Sequence, residues 1–79
     1  MKREILKDIV AEVLEVDPST LDRDTDITAL PTYDSVNVLS LIVALDDRAK
    51  IRLDGAKAGF RTLAELEKIA ADQGVALED

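Results

Sequence analysis

The sequence predicts an all-α fold over residues 1–79, a small four-helix bundle whose third helix is short. Three stretches carry that expectation: an amphipathic segment at the start, a dense apolar run behind a polar lead-in at 31–35, and a capped amphipathic segment from Thr62 onward. A chain of 79 residues makes one domain, near the size at which a single aliphatic core is marginal.

From Lys2 to Val16, Ile5, Ile9 and Val13 recur at i, i+4, i+8, with Leu6, Val10 and Leu14 beside them; Lys7, Asp8, Glu12 and Glu15 lie off that stripe. This pattern is a helix ending near Glu15. Asp17-Pro18-Ser19-Thr20 then joins a capping residue to a proline suited to a first helical turn, which allows one short turn at most. The connection from there to Thr32 is long for a compact domain, so Leu21, Ile27 and Leu30 are expected to pin it to the core. Within it Asp22, Asp24 and Asp26 have the spacing of a calcium loop. The glycine such a loop needs at its sixth position is Ile27, and the glutamate at its twelfth is Tyr33, so no metal is assigned.

Proline disfavours helix at the residue before it, and Thr32 or Asp34 can accept from the first free backbone amides, so the second helix should begin within 32–35 and run to Arg48 or Ala49. Val36 to Leu45 is almost wholly apolar, which predicts a central helix with neighbours on several sides. Arg48, Lys50 and Arg52 next alternate with Ala49, Ile51 and Leu53, an extended segment docking Ile51 and Leu53 inward. Asp54-Gly55 marks a turn, and Ala56 to Phe60 suits a short helical piece. Thr62 and Glu65 have capping-box spacing, and Leu63, Leu66, Ile69 and Ala70 follow at helical spacing to about Gln73. Gly74 suits the left-handed position that ends a helix, leaving Val75 to Asp79 as a loosely held tail.

With 17 acidic and 10 basic residues the net charge is −7, which repels nucleic acid and anionic membranes and attracts proteins bearing basic patches. The chain has no cysteine and no histidine, so it has no thiolate and no imidazole to serve as a base or metal ligand. Most self-contained enzyme chemistry is disfavoured. No signal-peptide pattern follows Met1, and the apolar run is far short of the roughly 20 residues a membrane span needs, so a cytoplasmic monomer is expected.

Asp34-Ser35-Val36, followed by Leu39, Leu41, Ala44 and Leu45 and then Asp46-Asp47, resembles the Asp-Ser-Leu region of acyl and peptidyl carrier proteins, and the order of elements matches over most of the chain. The resemblance implies the acyl-carrier type of four-helix bundle, with 4′-phosphopantetheine carried on Ser35. A separate phosphopantetheinyl transferase would attach it from coenzyme A with magnesium, so the chain itself would not be an enzyme. Asp34 matches the motif aspartate and can equally be a helix cap. Val36 matches an apolar position that partners contact and can equally be core. Tyr33 could cover the arm or pack on the second helix. Ser19, in a turn, and Ser40, inside the helix, are poorer attachment sites.

The resemblance further implies partner contacts through Val36, Asn37, Ser40, Asp46 and Asp47, made with acyl-loading and acyl-transfer enzymes that bear basic docking patches. Thr32 stands where the family usually has glycine, Asn37 where aspartate is frequent, Ser40 where glutamate is common, and Ala49-Lys50 replaces Phe-Gly. With Arg48, Lys50 and Arg52 nearby, this less acidic helix points away from the general fatty-acid synthesis enzymes. A discrete acyl carrier for a specialised fatty-acid, polyketide or lipid-modifying pathway is the resulting expectation. A peptidyl carrier is the near alternative, and an unmodified acidic helical interaction module the distant one.

Overall fold

The computed structural model describes residues 1–53 and 60–78. Three α-helices stand among them: α1, Arg3–Val13; α2, Ser35–Ala49; and α3, Leu63–Asp72. The connection from α1 to α2 carries two single 3₁₀ turns, Pro18–Thr20 and Ile27–Ala29. The only bridge of β type among the described residues is an isolated parallel pair, Lys2 with Glu78. The fold is helical as expected, and the short piece expected at Ala56 to Phe60 falls on 56–59, outside the described residues, and on Phe60, which is buried and not helical. No helix among the described residues is long and apolar enough to cross a membrane.

One buried cluster joins the elements. From α1 it takes Leu6, Ile9, Val10 and Ala11, with Leu14 just past its end; from α2, Leu41, Leu45 and Ala49; from α3, Leu63, Leu66 and Ala70. The stripe of α1 is rotated from its expected centre, since Ile5 is 46 % exposed and Val13 only partly buried while Leu6, Ile9 and Val10 are sealed. Two apolar rows adjoin on this helix, and contact with α2 selects the inner one.

α1 ends two residues short of Glu15 because Glu15 takes a left-handed conformation, φ 57°. The Val16 amide returns to the Ala11 carbonyl (3.0 Å) and the Glu15 amide to that of Glu12 (3.3 Å), which closes the helix in a Schellman turn. α3 closes the same way around Gly74, φ 81°, with Val75 N–H on the Ala70 carbonyl at 2.9 Å. Thr62 caps α3, its hydroxyl accepting from the Glu65 amide at 3.2 Å.

Leu21 and Ile27 pin the long connection as expected, both buried, with Leu30 partly so. Backbone bonds from Ile27 N–H to the Arg61 carbonyl (2.8 Å) and from Ala64 N–H to the Arg23 carbonyl (3.1 Å) tie the connection to the start of α3. Asp26, part of the apparent calcium spacing, accepts from Thr28 and from Arg61 Nη2 (2.9 Å), and the Thr28 hydroxyl and then Arg61 hold its carboxyl below the ordinary range. Ile51 and Leu53 point inward as predicted. Between them the Gln73 side chain donates to the Arg52 carbonyl at 2.6 Å and accepts from its amide at 2.7 Å, so one carboxamide stands in for a neighbouring strand.

Two expectations are corrected. α2 is not packed all round: Val36, Leu39 and Val43 are 70 %, 64 % and 66 % exposed, and only Leu41, Leu45 and Ala49 of its residues are buried. The end of the described chain is not loose either. Met1 donates its amino group to the Ala76 carbonyl (3.0 Å), Glu78 N–H donates to the Met1 carbonyl (2.9 Å), and Arg3 N–H to the Glu78 carbonyl (2.9 Å).

Candidate functional site

The start of α2 is built by residues 30–38. Leu30, ahead of Pro31, is extended (ψ 141°), as the proline ring requires of the residue before it, and the Tyr33 amide folds back to the Leu30 carbonyl at 3.0 Å. Asp34 is also extended (φ −140°, ψ 175°) and is the N-cap, its carboxylate accepting from the Asn37 amide at 2.8 Å. Val38 N–H makes the first regular helical bond, to the Asp34 carbonyl at 2.9 Å. Ser35 is therefore the first helical residue, and it is exposed. Its own amide and that of Val36 belong to the opening turn, where no carbonyl lies one turn back to receive them.

Ser35 opens on a cleft of about 550 Å³ lined by Tyr33, Asp34, Val38 and Leu39. Tyr33 is partly buried against the core and lines that cleft beside Ser35. A second hollow of about 470 Å³ lies farther along the helix, among Leu39, Ser40, Val43, Ala44, Asp47 and Arg48. Leu39 belongs to both. Val36, Ser40, Val43 and Asp47 share one face at i, i+4, i+7, i+11, and all four are exposed.

The remaining sequence candidates fall in different environments. Ser19 spends its hydroxyl on the Asp17 carboxylate at 2.9 Å. Asn37 is half-buried, with its carboxamide donating to the Thr32 carbonyl at 2.7 Å. Asp46 is exposed and pairs with Arg52 at 3.7 Å. The basic cluster at the end of α2 is largely engaged: Arg48 pairs with Glu12 of α1 at 2.8 Å, and Lys50 Nζ reaches the Asp47 carbonyl at 3.4 Å. Leu39 and Val43 were not singled out from the sequence, because a continuous apolar run reads as core. The signal that could have found them is the polar pair Ser40 and Asp47 on the same face.

No curated protein and no solved structure was found to match the chain. The family model for the phosphopantetheine attachment site matches residues 4–69, which takes in α1, the connection, α2 and most of α3. Domains of this kind are carriers and not catalysts: they hold a covalently bound 4′-phosphopantetheine and work with a phosphopantetheinyl transferase and with partner enzymes. A helical chain matched over that span, with a capped helix opening at an Asp-Ser pair, belongs to the phosphopantetheine-binding carrier family.

Proposed function

We propose that the chain is an acyl carrier domain spanning residues 1–79, with its arm esterified to Ser35, in a specialised fatty-acid, polyketide or lipid-modifying pathway. The observation that carries the reading is the placement of Ser35: an exposed hydroxyl in the first turn of α2, beside a cleft bordered by Tyr33, Val38 and Leu39. The residues fit the group. A phosphodiester at this position meets the positive end of the helix and its unpaired amides, and the Asp34 carboxylate is turned to the Asn37 amide as the cap. The bound arm supplies a terminal thiol on which acyl groups are held as thioesters.

The surroundings favour an acyl over an aminoacyl cargo. Tyr33, Val38 and Leu39 offer aromatic and aliphatic surface, against which each buried methylene gains about 0.8 kcal/mol. The ammonium of an aminoacyl group meets only Asp34 in that cleft, a carboxylate already used by the cap. Partners dock along Val36, Leu39, Ser40 and Val43, with Asp46 and Asp47 beyond them for basic groups; Asn37 lies at the inner edge of that strip. The first turn of α2 carries no acid, which supports partners other than enzymes selected for a strongly acidic carrier.

Co-expression with a broad-specificity phosphopantetheinyl transferase, read by intact mass, should add one arm to the wild type and none to Ser35→Ala. A wild type left unmodified beside a control carrier that is modified overturns the assignment. A medium-chain acyl form should melt above the holo form, and an aminoacyl form should not; the reverse order favours a peptidyl carrier.

A further inference from the structure

Thr32 and Asn37, which flank Ser35 on either side, are bonded to each other. Asn37 holds the lead-in twice: its backbone N–H donates to the Asp34 carboxylate at 2.8 Å, and its side-chain N–H donates to the Thr32 carbonyl at 2.7 Å. With the Tyr33 amide on the Leu30 carbonyl and the Val38 amide on that of Asp34, these bonds close a clasp across 30–38 with Ser35 inside it. The carboxamide is the one side-chain link in that clasp from inside the helix to the chain ahead of the cap.

We propose that Asn37 is a positioning residue for the modification of Ser35: it fixes the lead-in through the Thr32 carbonyl and so holds the Ser35 hydroxyl in register for the transferase. The proposal rests on the reading of Ser35 as the attachment site. In the transfer, the Ser35 hydroxyl oxygen bonds to the phosphorus on the pantetheine side of coenzyme A. The pyrophosphate bond breaks, adenosine bisphosphate leaves, and the serine proton passes to the transferase and solvent. Reaction needs the oxygen aligned with the phosphorus, and a loosened lead-in spreads the orientations of that oxygen.

The chemistry of the contact requires an amide. A backbone carbonyl accepts only, asparagine can donate to it, and an ionised aspartate has nothing to donate and places a second acceptor against it. A docking residue turned to solvent would tolerate aspartate, and before a basic enzyme would gain from it. Asn37→Asp therefore separates the two roles by the sign of its effect.

The test compares wild type, Asn37→Ala and Asn37→Asp as full-length apo proteins. Each is loaded by one broad-specificity transferase with coenzyme A and magnesium, well below its melting temperature. Gln73→Ala, which loses bonds far from Ser35 in sequence and function, is the control for general loosening. Both Asn37 variants should fall about fivefold or more in kcat/KM, the worth of one hydrogen bond, with Asn37→Asp the lower and Gln73→Ala near wild type. A second readout needs no transferase. In apo Asn37→Asp the amide resonances of Tyr33, Asp34 and Ser35 should leave their wild-type positions at neutral pH. They should approach those of the wild type recorded at the same pH as acid protonates the new carboxyl, which then donates to the Thr32 carbonyl. If Asn37→Asp loads as well as wild type or better, or its resonances ignore that protonation, the positioning role is wrong while loading at Ser35 stands. A wild type that takes no arm at Ser35 overturns both readings together.

Discussion

Glu15 and Lys50 hold left-handed backbone, φ 57° and 59°, where only glycine avoids a clash between Cβ and the peptide. Gly74 does the same work for α3 and was legible in the sequence, because glycine after an amphipathic run announces a helix end. Glutamate and lysine announce nothing, so the end of α1 was read two residues late. Glu15→Gly and Lys50→Gly should each stabilise the fold by about 0.5–1 kcal/mol in urea unfolding, the strain relieved outweighing the extra freedom of the unfolded glycine. Asp26 gives a pH signature. Thr28 and Arg61 depress its carboxyl below the unfolded value, so its contribution is complete above the ordinary carboxylate pKa of about 4 and fades as pH falls through the depressed folded value. The stability gap between wild type and Asp26→Asn should therefore be present at neutral pH and close in acid; a gap that stays constant would exclude the pairing as its source.

At the scale of the element, α2 begins and ends within the windows expected, 32–35 and Arg48 or Ala49, because proline, a capping aspartate and an apolar run together mark its start. Its surroundings were misread. A run this rich in apolar residues looks enclosed on every side, and only the polar pair Ser40 and Asp47 hints that Val36, Leu39 and Val43 are held outward. The faces differ in what they support. Leu45 is sealed, and Leu45→Ala should cost about 2–5 kcal/mol. Leu39→Ser and Val43→Ser should each change stability by roughly 0.5 kcal/mol or less. If the strip docks partners, the same two variants in holo form should slow acyl transfer by a cognate enzyme, with little of the loss restored by lowering salt, since contact rather than steering is removed. Unaltered turnover by both would move docking elsewhere. Gln73 had no sequence signature: its value lies in two bonds to the backbone of Arg52, a partner 21 residues away.

Over the whole molecule, the helices and the inward Ile51 and Leu53 were readable from side-chain periodicity, and Leu21 and Ile27 as isolated apolar residues in a long polar connection. The strap between the two ends of the described chain was not, since it is made of backbone groups of Met1, Arg3, Ala76 and Glu78 that any sequence could supply. Deleting the residues after Gly74 should remove its three bonds together with the packing of the partly buried Val75 and Leu77, costing about 2 kcal/mol or more, with the far-ultraviolet helical signal retained below the lowered melting temperature. An unchanged melting temperature would show that the strap adds nothing to the fold.

The position of Tyr33 also determines what light can report about the protein. The chain has one tyrosine and no tryptophan, so its near-ultraviolet emission comes from a single phenol, and that ring borders the cleft on which Ser35 opens. With the arm on Ser35 as proposed, arm, thioester and cargo should each change the quenching around it. The native chain thus carries a built-in fluorophore for its own loading cycle, one that needs no dye and leaves the face of α2 unaltered.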